Sequence, residues 1–354
     1  MRSSSNLQTD SYPRFAGKDV LPFHDVSEQF CSKSFFSLCA LWCCFYLCVV
    51  VIGGFLIQIV NQWSLLYFIV VPPLIIMIPL LQYFRCEVSD KEMLWCLLVA
   101  IGLSVPPTLF LPFFRSGWIA LLKALEGASL PKFASTVFIV FSLLDSFVFR
   151  ALLQEAIKFY ISWRMLRKNR IIDPRSLIFY AVLVSNIIAL VGALQEVYGI
   201  LLFIRGFDRA VIIDLDSKIE RPMGKEFIQE RIRAICFSFG VFRNSFYFLL
   251  QAGTGALIAC QLLRKKYSNL NTLCFQVLLW PVILHGIPLC TSQGIRAFAQ
   301  YQISRVFSGG AGPSSINKET LVQLAVTTAL LQHFAFLVKF IALGVTFYLV
   351  RVIQ

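Results

Sequence analysis

The chain has 354 residues, of which 58% are hydrophobic and only 14% are charged, and its formal net charge is +13. A soluble domain of this length carries roughly a quarter of its residues charged, so the composition excludes an ordinary soluble protein. The basic residues lie mainly in short connectors between apolar stretches, which is typical of membrane proteins and excludes nucleic acid as the partner. We therefore expect a lipid bilayer as the environment and an all-α, polytopic bundle of transmembrane helices as the fold class.

About eight stretches are long and apolar enough to span a bilayer, which takes about 20 mostly apolar residues per helix. In chain order they are 35–60, 65–84, 93–114, 134–162, 176–204, 234–263, 273–290 and 321–350. The polar tail of residues 1–34 lacks the basic, apolar and small-residue regions of a cleavable signal peptide. The first span is therefore expected to direct insertion.

Polar residues are distributed unevenly among these spans. Spans one to three, within 35–133, contain few polar groups and are predicted to act as a scaffold. Spans four to seven, within 134–290, concentrate ionisable and amide side chains and are predicted to form the functional core. Residues 291–320 include a stretch rich in Gly and Ser, which is typical of a flexible loop, and 321–354 holds the last span.

Basic clusters at 164–170 and 264–266 fall on the same side as both termini in an eight-span arrangement. Because basic residues collect on the cytoplasmic side, this favours cytoplasmic termini. The 205–233 connector on the other side also carries seven basic residues, which offsets part of that asymmetry. The sequence leaves the compartment and the oligomeric state open.

The fourth span carries a run of polar side chains, namely Asp145, Arg150, Gln154, Glu155 and Lys158. At 100° per residue, Arg150, Gln154 and Lys158 share one helix face. Glu155 precedes Lys158 by one turn, at the spacing of an ion pair. Ionisable groups at membrane depth are costly and usually face the bundle interior with a partner. The alternative is that Asp145, Arg150 and Lys158 lie near the headgroups and snorkel to water.

The next three spans also direct polar groups to the bundle interior. Span five contributes Glu196, and span seven contributes His285. On span six, a stripe at intervals of four, four and three is formed by Arg243, Tyr247, Gln251 and Thr254. Four consecutive helices with such groups predict a shared polar site. The alternative is that Glu155–Lys158 and Glu196–Arg243 are structural ion pairs that only fix helix register.

Taken in chain order, the polar segments of spans four to seven resemble the motifs of the PrsW family of intramembrane proteases. The segment Gln154-Glu155-Ala156-Ile157-Lys158 resembles the family's Glu-Glu-x-x-Lys motif, and residues 192–196 resemble its Gly-Phe-Ala-x-x-Glu-Asn segment. Arg243, eight residues before Gln251, resembles the Arg that precedes the family's first His segment, and His285-Gly286 resembles its second. The resemblance covers about residues 134–290.

The resemblance implies a site in which glutamates and histidines from several helices activate a water for peptide-bond hydrolysis. In this chain the implied catalytic candidates are Glu155, Glu196 and His285. Lys158 and Arg243 are expected to act as ion-pair residues of the same core.

Four family positions are substituted in this chain. Val197 stands where the family has Asn, and Leu289 stands where it has Asn or Asp. Gln154 stands where the family has Glu, and Gln251 stands where it has His. A carboxamide cannot serve as a general base, and it does not exchange a proton near neutral pH. A divalent metal such as zinc is possible but disfavoured, because one His and two carboxylates make a poor metal site. We expect the fold to be retained and the proteolytic activity to be degraded or lost.

Three functions are compatible with these residues: an intramembrane endopeptidase with altered catalytic groups, an inactive relative that binds membrane-embedded protein clients, and a transporter or channel that uses the polar cluster. The absence of an inverted repeat in the sequence speaks against the last. In either family case, Glu155 or Glu196, Gln251 and His285 should point to a common cavity. Arg243 should pair with Glu196 or Glu155, because an unpaired guanidinium at that depth is costly.

Overall fold

The computed structural model describes residues 64–84, 88–127, 140–141, 143–168, 175–194, 246–267, 273–308 and 318–353, together with positions 40, 43, 47 and 51. Every regular element in these residues is helical, and no strand occurs among them. The predicted all-α class is confirmed for this part of the chain.

The described residues form seven α-helices and one π-helical segment. In chain order they are α1 (Ser64–Tyr83), α2 (Asp90–Gly127), the π-helical segment Leu144–Leu152, α3 (Leu153–Arg167), α4 (Ser176–Leu194), α5 (Phe246–Tyr267), α6 (Cys274–Ser308) and α7 (Lys318–Ile353). The π-helical segment runs directly into α3, so the two form one continuous rod.

Five described helical stretches are long and apolar enough to cross a membrane. They are Asp90–Leu111, Ser176–Leu194, Phe246–Tyr267, Cys274–Ser292 and His333–Ile353, with mean hydropathies between 1.5 and 2.4. These helices fit an integral, multi-pass membrane protein surrounded by a lipid bilayer. The count of eight spans stays a prediction, because most of the first predicted span lies outside the described residues and α1, in the second, is not among these five stretches.

Helices α4 and α5 lie at the centre of the bundle. Buried residues make up 78% of the α4 span and 72% of the α5 span, against 22% for α2 and 17% for α7. A hydrophobic cluster of the described residues joins Leu177 and Phe179 on α4 to Met93 and Cys96 on α2 and to Ile161 on α3. The polar residues of α5 are therefore held inside the protein rather than against lipid.

Two glycines allow the helices that carry the polar residues to approach closely. A Cβ on Gly255 would lie 2.8 Å from the Ala181 carbonyl oxygen and would overlap Ser185 Oγ, so glycine is needed where α5 crosses α4. A Cβ on Gly286 would overlap the Phe147 ring, which places α6 directly against the π-helical segment. Small residues at crossing points are the usual means of close packing between membrane helices.

The structure differs from the predicted boundaries at three places. Helix α2 continues to Gly127 instead of ending near 114, and residues 291–308 of the predicted loop belong to α6. The segment 295–307 contains no Gly or Pro, so the turn signal begins only at Ser308. The π-helical turns at Leu144–Leu152 interrupt the regular helix expected for the fourth span. The apolar pattern does not reveal them, because packing decides where a membrane helix widens.

Candidate functional site

Glu155 on α3 is the centre of a buried polar cluster between α3, α5 and α6. Its side chain is fully buried, and its Oε1 accepts hydrogen bonds from Lys158 Nζ at 2.7 Å, Thr254 Oγ1 at 3.1 Å and His285 Nδ1 at 2.8 Å. One carboxylate oxygen therefore joins side chains of three helices. The predicted contact between Glu155 and Lys158 is confirmed.

The Lys158 ammonium is an internal partner of this carboxylate. Its side chain is fully buried, and Nζ also donates to Thr254 Oγ1 at 2.8 Å and to the Gln251 carbonyl oxygen at 3.3 Å. Together with Glu155, these acceptors use all three hydrogens of the ammonium group. Lys158 therefore does not snorkel to water, and that alternative is wrong for this residue.

The contacts of His285 define which ring nitrogen carries the hydrogen. Nδ1 faces Glu155 Oε1 at 2.8 Å, and a carboxylate that is paired with Lys158 can only accept. Nδ1 therefore donates, which leaves Nε2 to accept from the Gln251 side-chain N–H at 2.7 Å. The neutral imidazole, the carboxylate and the ammonium together carry no net charge, which limits the cost of burying them.

Two glutamines connect this cluster to Tyr247. Gln154 Oε1 accepts hydrogen bonds from Gln251 Nε2 at 2.8 Å and from the Tyr247 hydroxyl at 3.1 Å. The two hydrogens of the Gln251 amide nitrogen thus face three acceptors, which are Gln154 Oε1, the Tyr247 hydroxyl at 3.0 Å and His285 Nε2. The stripe predicted on span six is confirmed for its described members, because Tyr247, Gln251 and Thr254 all contact α3.

A cavity of about 40 Å³ borders the cluster. The described residues that line it come from five helices and the π-helical segment. They include Thr108 of α2, Arg150 of the π-helical segment, Gln154 of α3, Gly192 of α4 and Tyr247 of α5. The space is large enough for a few water molecules.

The predicted convergence on a common cavity is correct only in part. Glu155, Gln251 and His285 do meet, but in a packed hydrogen-bond cluster, and none of the three lines the cavity. The cavity touches the cluster through Gln154 and Tyr247. The reason is that the amides of Gln154 and Gln251 bond to each other and fill the space between the cavity and His285.

Sequence reasoning missed the contribution of α2 to the cavity. Ser104, Pro107 and Thr108 of the predicted scaffold line it. The Thr108 hydroxyl donates to the Ser104 carbonyl oxygen at 2.7 Å, as hydroxyls often do in bent membrane helices. The available signal was a Pro pair, Pro106-Pro107, flanked by two hydroxyl residues one turn apart in an otherwise apolar span.

The distance of Glu155 from the basic end of α3 fits a place within a bilayer core. Glu155 is twelve residues along α3 from Arg167, a rise of about 18 Å in a bilayer core about 30 Å thick.

Comparisons with known proteins do not assign a family. No protein-family model, curated protein or solved structure matches this chain. The resemblance to PrsW proteases therefore depends on the motif residues alone. Of these, the structure brings together Gln154, Glu155, Lys158, Gln251 and His285.

Two of the predicted site residues, Glu196 and Arg243, lie outside the described residues. The catalytic role of Glu196 and the pairing of Arg243 with Glu196 or Glu155 stay predictions. Among the described residues, the Glu155 carboxylate is engaged by Lys158 and His285.

A metal ion does not fit the described cluster. Glu155 and His285 are two possible ligands, but the Lys158 ammonium contacts the same carboxylate oxygen that faces His285. Among the residues that the structure describes, no group of three His, Cys, Asp or Glu side chains is placed to hold a metal ion. A divalent ion would need further ligands and would be repelled by the ammonium group beside the carboxylate.

Proposed function

We propose that this protein is a multi-pass membrane protein with a PrsW-like core that has lost proteolytic activity and binds membrane-embedded protein clients. The observation that supports this best is the position of the Gln251 amide. It occupies the nitrogen of His285 that a water molecule would need to reach. A general base must lie within hydrogen-bond distance of the water it activates.

The donors of the protein itself converge on one oxygen of the Glu155 carboxylate. Glu155 Oε1 faces Lys158, Thr254 and His285, and His285 Nε2 accepts from Gln251, whereas Glu155 Oε2 is buried without a hydrogen-bond partner among the described residues. Gln154 lies between this pair and the cavity. Amides form hydrogen bonds but do not take up a proton near neutral pH, so the two glutamines preserve the geometry and interrupt proton transfer.

The cavity supports a binding role. Its wall combines the polar groups of Arg150 and Gln154 with the apolar side chains of Phe149 and Leu153. Phe149 is 38% exposed, so the cavity borders the outer surface of the bundle. A client segment in the bilayer can reach this wall without entering the packed cluster.

The alternative of a transporter or channel receives less support. A path for ions or protons through the cluster would pass Gln154, Gln251 and His285, which are bonded to one another. The side chains of Glu155, Gln251 and His285 are at most 1% exposed. Conduction would require this network to open at every step.

The test measures binding and cleavage in one preparation of liposomes. Full-length protein is reconstituted with labelled single-span peptides, binding is followed by cross-linking, and products are separated on gels. We expect the peptides to bind and no cleavage to depend on His285. Cleavage that His285→Ala abolishes would overturn the loss of activity, and failure of every peptide to bind would overturn the client-binding role.

A further inference from the structure

Two basic clusters that are far apart in the sequence meet at one end of the bundle. Lys266 Nζ of α5 donates to the Leu166 carbonyl oxygen of α3 at 3.4 Å, across a separation of 100 residues. The ends of α3 and α5 therefore lie side by side. The basic residues that they bring together are Arg164, Arg167, Lys168, Arg264, Lys265 and Lys266. Such a concentration of cations attracts an anionic group.

Aromatic rings accompany this charge. The guanidinium carbon of Arg167 lies 5.1 Å from the ring centre of Trp163, and Lys266 Nζ lies 5.7 Å from the ring centre of Tyr267. Trp and Tyr are enriched where membrane helices pass the boundary between lipid and water. These contacts therefore fit a position of this end of the bundle at the headgroups of one leaflet.

Arg164 differs from the exposed members of this group because it is half-buried between α2 and α3. Its guanidinium carbon lies 5.6 Å from the ring centre of Trp95 and 5.9 Å from that of Tyr160. One terminal nitrogen donates to the Tyr160 hydroxyl at 2.6 Å, whereas Nε has no hydrogen-bond partner in the described part of the chain. Among the described residues, the ion pairs do not involve Arg164. Aromatic rings thus hold the guanidinium in place, and no carboxylate of this part of the chain neutralises it.

The surface next to Arg164 is apolar toward the middle of the bilayer. Leu94 and Leu98 share one face of α2, and Leu98 is 60% exposed. Tyr160, one turn before Arg164 on α3, is 38% exposed. Leu98 is eight residues from Asp90 at the start of α2, a rise of about 12 Å, which places it below the headgroups. The surface between α2 and α3 is therefore cationic at headgroup level and apolar beneath it.

We propose that Arg164 is the centre of a binding site for an anionic phospholipid between the start of α2 and the end of α3. The guanidinium binds the headgroup phosphate, to which it can donate two parallel hydrogen bonds, and an acyl chain lies along Leu98 and Tyr160. Because Arg167 and Lys168 add further positive charge, a lipid of net negative charge is favoured over phosphatidylcholine, whose choline group is a cation. This inference does not depend on the proposed client-binding function.

The depth of Arg164 favours a lipid over an acidic segment of a soluble protein. Arg164 lies one turn before the end of α3, and its contact Trp95 is five residues inside α2. A soluble segment would meet the exposed Arg167 and Lys168 first and would leave Leu98 uncovered. A phospholipid of the surrounding leaflet reaches the guanidinium and the apolar side chain together.

The experiment uses the full-length protein in lipid-free micelles and two lipids with identical oleoyl chains, phosphatidylglycerol and phosphatidylcholine. Both lipids carry the phosphate, but only phosphatidylcholine carries the compensating cation. Native mass spectrometry measures the affinity of each lipid from the bound fraction. We expect phosphatidylglycerol to bind about fivefold more tightly or better, which is the contribution of one basic side chain near an anionic surface.

The variant Arg164→Gln removes the guanidinium and should lower the ratio of the two affinities by about fivefold. The readout is a ratio measured on one preparation, so a partly unfolded fraction does not change it. Arg351→Gln is the matched control, because Arg351 is an exposed arginine in the last turn of α7. Its ratio should stay within about twofold of that of the unmodified protein, since general attraction by one exposed cation is weak.

Glycerophosphoglycerol, the same headgroup without acyl chains, tests the contribution of the apolar surface. We expect it not to displace phosphatidylglycerol at the concentrations at which the lipid binds. Displacement by this compound or by a soluble acidic peptide would show a site for a soluble anion and would overturn the proposal. Equal affinities of the two lipids for the unmodified protein would also overturn it, and so would a ratio that Arg164→Gln leaves unchanged.

Discussion

Gln251 Nε2 and His285 Nε2 lie 2.7 Å apart, so the amide of one residue satisfies the ring of the other in the interior of the bundle. The opposite ring nitrogen donates to Glu155. His285 is therefore held from both sides, and neither ring nitrogen is left for a ligand. The family resemblance implies that His285 is reactive, but its hydrogen bonds make it a structural link between α3, α5 and α6.

Removal of the Lys158 ammonium should leave the buried Glu155 carboxylate without its ionic partner. We expect Lys158→Met to lower the free energy of unfolding by about 3–5 kcal/mol, the usual cost of breaking a buried pair. Denaturation of the purified protein in mixed micelles measures this loss. The double variant Lys158→Met with Glu155→Gln removes both charges and should recover most of it.

The matched control for this prediction is Lys91→Met, because Lys91 is exposed near the start of α2. The free energy of unfolding of Lys91→Met should stay close to that of the unmodified protein. If the double variant is as unstable as Lys158→Met alone, the loss does not come from the unpaired carboxylate.

The crossing of α4 and α5 should depend on the absence of a side chain at Gly255. Gly255→Ala places a methyl group 2.8 Å from the Ala181 carbonyl oxygen and onto Ser185 Oγ. We expect a loss of about 1–3 kcal/mol, as overpacked interiors show. Gly102→Ala adds a methyl group that would meet no neighbouring helix within 4 Å, so it should be neutral or slightly stabilising. Equal effects of the two changes in thermal melting would contradict the close crossing.

Much of the cluster could be predicted from spacing alone. Three residues on one helix at intervals of four and three must share a face, which is why Tyr247, Gln251 and Thr254 all contact α3. The cost of isolated polar groups in a bilayer then predicts that His285 finds a partner among the carboxylates. The shared face follows from helix geometry, and the partner of His285 follows from the cost of burying a polar group. The spacing and the polarity of the residues are enough to predict both.

The remaining features depend on packing that the sequence does not specify locally. The π-helical segment changes the rotation of residues 144–152 relative to α3, and an apolar pattern looks the same in either form. The cavity depends on how α2 leans on α3, so Ser104 and Thr108 could not be assigned to it. A displacement of Gln154 or Gln251 by less than the diameter of a water molecule decides whether the two amides bond to each other or face an open cavity.

The tautomer of His285 is a direct spectroscopic prediction. We expect nitrogen spectra of histidine-labelled protein to show a neutral ring with the hydrogen on Nδ1, because Glu155 accepts from that atom. The chain has three histidines, so His24 and His333 are replaced to isolate the signal. In Gln251→Leu, the Nε2 resonance should move, since that nitrogen loses its donor. A hydrogen found on Nε2 in the unmodified protein would contradict the described network.

The last prediction concerns the recovery of hydrolysis by Gln154→Glu together with Gln251→His. The first change puts a carboxylate on the cavity wall, where it can reach water, and the second puts an imidazole between that carboxylate and His285. Titrating groups would then replace both amides, with little change in side-chain size. General acid–base groups contribute about 10²–10⁴-fold to such reactions, so cleavage of single-span peptides in liposomes should become detectable. Adding His285→Ala to the double variant should remove it again, whereas His333→Ala should not. If the unmodified protein already cleaves and His285→Ala abolishes that cleavage, the two amides do not block catalysis, and a mechanism with a single histidine is required.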